Sequence, residues 1–437
     1  MKAAIVPTLL LTALCVACLA GGSRAVAGCK ASPKNELSNG GNAGAIATGG
    51  YGGSTGGTGG TAIGGFAPGG GAGGSEPPCV PTPDNDADGD GWTQAQGDCD
   101  DCDKNVNPNA VEVPTEQGGV PKDENCDGVT DEAAAPPCDD AIAIDEADPL
   151  TVIKAVELCK LSSGPNDWGV VAASWVLADG SPPPTAQLPQ YHLGHGVLDG
   201  FGPNVGTRRG LSMLALSSGT ARRPTDPGYH DVNNFDKGYT CGHPQGFPKE
   251  SPACPGVTTG EPHDSAGIEV RINTPSNAYG IQFDFDFYTY EWPGYICTEY
   301  NDFFVALLDP IPPNQTDGNI SFDGDGNPIS VNNAFLGVCG CTGNPPSPCQ
   351  AGGKTFPCPL GDLQLIGTGF GFDTAGEDHG GTSWLRTQAP VPPASEIIIR
   401  FAVYDSGDGV LDTTTLVDNF AWIAKPGTEV HTVPVPN

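Results

Sequence analysis

Asp86, Asp88 and Asp90 stand at alternate positions ahead of Gly91 and Trp92 in the stretch "DNDADGDGWTQAQGDCDDCD". This spacing lets a short loop surround one hard cation. Alternate carboxylates supply oxygens, the glycine makes the sharp turn, and the next residue offers its carbonyl. The predicted ligands are Asp86, Asp88, Asp90 and Trp92, joined by Asp98 and Asp100. Where a helix–loop–helix EF-hand needs a bidentate glutamate at the end of its loop, this chain has Gly97, so that architecture is excluded. Further along, "DENCDGVTDE" repeats the spacing with Asp123, Asn125, Asp127 and Asp131. An all-oxygen donor set favours Ca²⁺ over copper or zinc, which prefer imidazole or thiolate. The bland alternative is a solvated acidic linker.

A second candidate metal set, Asp405, Asp408, Asp412 and Asp418, lies in "YDSGDGVLDTTTLVDNF". Its alternative is a hairpin turn, because Asp and Gly favour turns for backbone reasons. Catalytic signals are poor. His192 and His195 lack a supporting zinc-protease motif, and no G-x-S-x-G is present. Asp284, Asp286, Glu291, Glu299 and Asp302 could supply a glycosidase carboxylate pair, and "FYTYEWPGY" could stack on sugar rings or simply pack at a domain rim. The chain is expected not to be an enzyme.

The elements that must position these residues read as β. "WGVVAASWVLA", "AGIEVRI", "DFFVALL", "EIIIRFAVYD" and "TTTLVDNFAWIA" have strand composition. "YGIQFDFDFYTY" alternates strictly, which predicts Ile281, Phe283, Phe285 and Phe287 inward and Gln282, Asp284, Asp286 and Tyr288 outward. One helix is marked by Asp148 as N-cap and Pro149 as first residue, with Leu150, Ile153, Val156 and Leu161 at helical spacing. The fold class expected is mostly β: an antiparallel, jelly-roll-like β-sandwich with one amino-terminal helix. An irregular Asp-rich metal-binding module and a disordered Gly-rich linker precede it.

Composition sets the surroundings. With 19 basic and 52 acidic residues the formal charge is −33, which argues against nucleic acid and anionic membrane surfaces as partners. Lys2 and the apolar run Ala4–Ala20 predict a signal peptide over 1–28, and "VAGC" before Cys29 predicts lipidation at that cysteine. Residues 29–78 form a tether in which 18 of the 36 residues from Asn39 to Gly74 are glycine. Residues 79–137 hold 11 Asp and 4 Glu against 2 Lys, too few apolar groups for a core without disulfides or metal. Residues 138–425 form the globular β domain, and 426–437 a tail. Sixteen cysteines in an exported chain predict disulfides. Setting aside Cys15, Cys18 and Cys29 leaves thirteen (16 − 3), so one is left unpaired. Cys138 and Cys159, which bracket the helix, are the best predicted pair.

Two resemblances follow from these residues. "DADGDGWTQAQGDCDDCDKNVNPNAVEV…DENCDGVTDE" resembles the MopE-type metal-binding repeat of bacterial surface proteins; Asn109 replaces the family's Gly and Cys102 is extra. The family name implies copper, whereas the residues present argue for calcium. "CTEYNDFFVALL", "NISFDGDGNPISVNNAFL", "GKTFPCPLGDLQLIGTGF" and "FAVYDSGDGVLDTTTLVDNFAW" resemble the bacterial choice-of-anchor L domain. That resemblance implies an exported, surface-displayed β module without a catalytic mechanism. The function expected is a calcium-stabilised extracellular binding or adhesion protein at the cell envelope, lipid-anchored to the outer membrane. Its ligand would be a protein or a glycan, and its oligomeric state is left open. The alternatives are a secreted glycan hydrolase or a copper-binding surface protein.

Overall fold

The computed structural model describes residues 79–131, 136–333, 335–340, 349–371 and 379–436. The expected signal peptide, the Gly-rich tether and Cys29 lie outside them. Strands are numbered in chain order. One antiparallel sheet has the order β1 (Gly169–Val176), β4 (Pro262–Asn273), β13 (Glu396–Ser406), β6 (Phe303–Asp309), β7 (Ile329–Ser330). The second runs β15 (His431–Pro434), β12 (Leu385–Pro390), β5 (Gly280–Thr289), β14 (Thr413–Ile423), β3 (Met213–Ser217), β2 (His195–Leu198). The short β11 (Gly380–Gly381) and β8 (Val338–Cys339) extend it beside β5, and β9 (Cys349–Ala351) pairs with β10 (Lys354–Phe356) in a separate hairpin. The chain is mostly β, as its alternating segments require.

The two sheets share one core. Ile268, Val270 and Ile272 of β4, Phe304 and Ala306 of β6, and Ile399, Phe401 and Val403 of β13 cluster with Phe283, Phe285 and Phe287 of β5. Phe283 meets Phe401 edge-on at 4.9 Å, and Phe285 meets Phe304 at 4.8 Å. Burying each such ring contributes roughly 1.5–3 kcal/mol. This is a β-sandwich-like arrangement, and the predicted inward row of β5 is fully buried.

The outward row differs from expectation. Asp284, Asp286 and Tyr288 are as buried as the inward phenylalanines, because more chain covers this face. Phe201 packs on Tyr288 at 5.0 Å within a second cluster that includes Leu198, Met213, Phe370 and Leu416. Arg208 and Arg386 both form ion pairs with Asp284, and Tyr288 donates its hydroxyl hydrogen to Asp286 at 2.7 Å.

The helix is also shorter than its spacing suggests. Asp148 caps it as predicted, accepting from Leu150 N, but the α-helical part is only α1 (Pro149–Val152). A 3-10 turn, Ile153–Val156, follows and ends at Glu157, whose φ of 75° is left-handed. Leu161 therefore falls outside it and is exposed.

Candidate metal centre

The Asp-rich segment has almost no regular structure and is held by covalent and polar links. Cys79 pairs with Cys102 and so joins the two flanks of the first loop, and Cys99 pairs with Cys126 and so ties its later flank to the second loop. The segment is also hydrogen-bonded to the β domain. Ser276 N donates to Asn109 O, Trp168 N donates to Asn109 Oδ1, and Tyr279 donates its hydroxyl hydrogen to Asn105 Oδ1.

The two predicted loops adopt one conformation. In the first, Asp86 accepts from Asp90 N (3.2 Å) and Gly91 N (2.9 Å), Asp88 from Asp90 N (3.2 Å), and Asp90 from Trp92 N (2.8 Å). In the second, Asp123 accepts from Asp127 N (3.0 Å) and Gly128 N (2.8 Å), Asn125 from Asp127 N (3.0 Å), and Asp127 from Val129 N (2.9 Å). Gly91 and Gly128 occupy the same left-handed turn, with φ of 96° and 91°.

Their surroundings separate them. Around the first loop, Asp88, Asp98 and Asp101 offer oxygens that all lie within 4.8 Å of one another, as do Asp86, Asp88 and Asp90. Asp86 and Asp90 are already engaged by loop amides and, for Asp90 Oδ2, by Asn107 Nδ2 at 2.7 Å. By contrast, Asp88, Asp98 and Asp101 each keep one Oδ2 that is buried and receives no hydrogen bond. Burial together with the neighbouring Asp90, Asp98 and Asp86 pushes the Asp88 carboxyl up to about 6, and burial raises Asp98 as well. Three carboxylates brought this close, each with a buried oxygen left unpartnered, are costly unless a cation sits among them. Oxygen donors of this kind fit Ca²⁺.

Of the residues the spacing singles out, Asp86, Asp88 and Asp90 lie together, and Asp88 also lies with Asp98, where the third carboxylate is that of Asp101 and not of Asp100. Asp100 is exposed, and its amide donates to Asp98 Oδ1. Asp101 is the buried one, and its Oδ1 takes Ala87 N at 2.9 Å, which aims its carboxyl into the loop. Trp92 is half-buried with its amide bound to Asp90. The second loop stands in the open: Asp127 and Asp131 are exposed, and Asp131 Oδ1 accepts from Thr115 N. Among the described residues its acids gather into no group of three, and Asp131 N donates to Glu112 Oε1 at 2.9 Å.

The other candidates divide in the same way. Asp405 and Asp412 are buried close to each other, whereas Asp418 accepts from Arg208 N at 2.6 Å and Arg209 N at 3.3 Å and leaves that group. The segment between Asp405 and Asp412 is no hairpin turn, because β13 and β14 belong to different sheets. Of the five acids weighed for a catalytic pair, Asp284, Asp286, Glu291 and Asp302 are no more than 3% exposed, and Glu299 alone is exposed. In the aromatic run, Phe287, Tyr288, Tyr290 and Trp292 are buried and pack, and Tyr295 alone is exposed, at 40%.

Cys138 and Cys159 are disulfide-bonded as predicted, and Cys254–Cys297 and Cys339–Cys358 add two more bridges. Cys241 is the free cysteine among the described residues. This bridge density is compatible with an oxidising, extracellular setting. Comparison with protein-family models, curated proteins and solved structures gave no match to this chain.

Proposed function

We propose that this protein is an exported cell-surface binding or adhesion module whose Asp-rich segment is ordered by calcium, the ion being structural rather than catalytic. The observation that carries this reading is the trio of unpartnered, buried oxygens on Asp88, Asp98 and Asp101. Bound calcium would neutralise these carboxylates. The chain's own residues do the rest: Asp86 and Asp90 shape the loop through its amides, and the two disulfides hold Asp98 and Asp101 beside it. The resemblance to the MopE-type repeat and to the choice-of-anchor L domain supports surface display, with Cys29 as the attachment point.

A groove of about 760 Å³ lies where the loop meets the β domain, lined by Asp90 and Trp92 on one side and Ser163, Asn166, Asp167 and Glu396 on the other. It offers a ligand, protein or glycan, a wall whose position depends on the loop. The hydrolase alternative requires two carboxylates facing an open cleft, yet Glu291 and Asp302 are buried and Asp284 is bound by two arginines. The copper alternative gains no imidazole or thiolate from the loop residues.

An ion bound by the folded form alone stabilises it, by about 2.7 kcal/mol at a hundredfold excess over its dissociation constant. Thermal melts of the full chain in EDTA and in millimolar Ca²⁺ test this. The reading requires a higher midpoint with calcium, and coincident curves refute it.

A further inference from the structure

At one end of the β domain the inward-facing rows change from hydrocarbon to carboxylate. The β5 row of Ile281, Phe283, Phe285 and Phe287 continues through Thr289 to Glu291. The β13 row of Ile397, Ile399, Phe401 and Val403 runs on to Asp405. The β6 row of Phe304, Ala306 and Leu308 is preceded, one alternation earlier, by Asp302. Asp412 stands just before β14. Tyr404 pairs with Phe303 and Thr413 with Thr289, so these ends adjoin within each sheet. Across the sheets, Glu291 Oε2 accepts from Asp302 N at 2.8 Å, and Thr413 donates its hydroxyl hydrogen to Asp302 Oδ2 at 2.6 Å.

These four acids are no more than 3% exposed. Asp302 and Ser218 stand beside Asp405, yet no donor reaches either oxygen of Asp405 or of Asp412 with hydrogen-bond geometry. The hydroxyl of Thr415, on the same face of β14 as Thr413, is likewise buried without a partner. The cation facing the group is Lys237, itself buried, whose Nζ donates to Ser217 O at 2.9 Å. Asp264 also draws on it, and Asp231, Asp236 and Asp408 add negative charge farther out. One ammonium cannot balance this group. Hydrocarbon would pack the ends of these rows at less cost than unpaired acids, so their presence calls for a positive charge that the side chains do not supply.

We propose that this end of the β domain binds a divalent cation, Ca²⁺ by its oxygen donors, through Asp405 and Asp412 with Asp302 and Glu291, joining the ends of the two sheets. The acids do not converge within 4.8 Å as those of the Asp-rich loop do, so binding draws four chain segments together and is weaker than at the loop.

The test is bound calcium per chain, measured by atomic emission after equilibrium dialysis of the full chain. Salt of about 0.15 M screens weak surface association. An Asp405→Asn/Asp412→Asn variant should lose one equivalent and keep the loop's. An Asp88→Asn/Asp98→Asn variant, with this end intact, should still retain one equivalent. A folded Asp405→Asn/Asp412→Asn variant with undiminished calcium overturns the proposal. So does an Asp88→Asn/Asp98→Asn variant that retains none, an outcome that leaves the loop site standing. If the first variant does not fold, the second decides alone.

Discussion

The side chain of Asn277 holds the main chain of Val111 at both of its polar atoms. Val111 N donates to Asn277 Oδ1 at 2.9 Å, and Asn277 Nδ2 donates to Val111 O at 2.7 Å. Asn277 is 1% exposed and lies just ahead of β5, so it adds a buried two-bond clamp to the links made through Asn105 and Asn109. Asn277→Ala leaves two backbone groups unpaired and should cost about 1–3 kcal/mol. Denaturant unfolding of the variant measures this. A loss within a few tenths of a kcal/mol would mean that the links through Asn105 and Asn109 suffice without it.

Asp100 and Asp101 are adjacent in sequence and opposite in burial. Asp101→Asn should abolish most of the calcium-dependent rise in thermal midpoint, whereas Asp100→Asn should leave it intact. Melts of both variants with and without Ca²⁺ decide between them. Equal effects would contradict the assignment of Asp101 to the site.

The Cys99–Cys126 disulfide joins the first loop to the second across 27 residues. Closing a loop of this size constrains the unfolded chain by roughly 3.5 kcal/mol. It also holds Asp98 and Asp101 in place. The Cys99→Ala/Cys126→Ala variant should unfold at lower denaturant and bind calcium at least tenfold more weakly by titration. Unchanged calcium affinity would mean that Cys79–Cys102 alone positions the carboxylates.

Asp88 gives the sign of the pH dependence. Burial first, then its acidic neighbours, raise its carboxyl from 3.8 to about 6 in the folded chain. Between these values the folded form keeps a proton that the unfolded form has lost. Calcium-free stability therefore falls as pH rises through this window. Calcium must displace that proton, so its affinity climbs as pH rises through about 6 and levels off above it. Titrations at several pH values check this, and a flat profile across pH 6 would remove Asp88 from the site.

Much of this was readable because its causes are local. Alternation placed Phe283, Phe285 and Phe287 in the core, since successive side chains of a strand must face opposite ways. The repeated Asp spacing found both loops, because their amide-to-carboxylate bonds span five residues or fewer. What escaped depends on distant chain. Asp284 and Asp286 look solvent-facing until Arg208, Arg386 and the Phe201 cluster cover them. Asp101 displaces Asp100 because Ala87 N, fourteen residues away, takes its oxygen. Asp418 lies close in sequence to Asp412, but the amides of Arg208 and Arg209 claim it. Glu291 and Asp302 could be joined to Asp405 only by knowing which strand ends meet.

The central claim is that Asp88, Asp98 and Asp101 hold calcium. Calorimetric titration of the EDTA-treated full chain with Ca²⁺, and separately with Cu²⁺, tests it most directly beside an Asp88→Asn/Asp98→Asn/Asp101→Asn variant. A saturable calcium component should appear in the wild-type chain, vanish in the variant and resist displacement by copper. Calcium binding unchanged by the three substitutions, or copper displacing calcium from the wild-type chain, would contradict it.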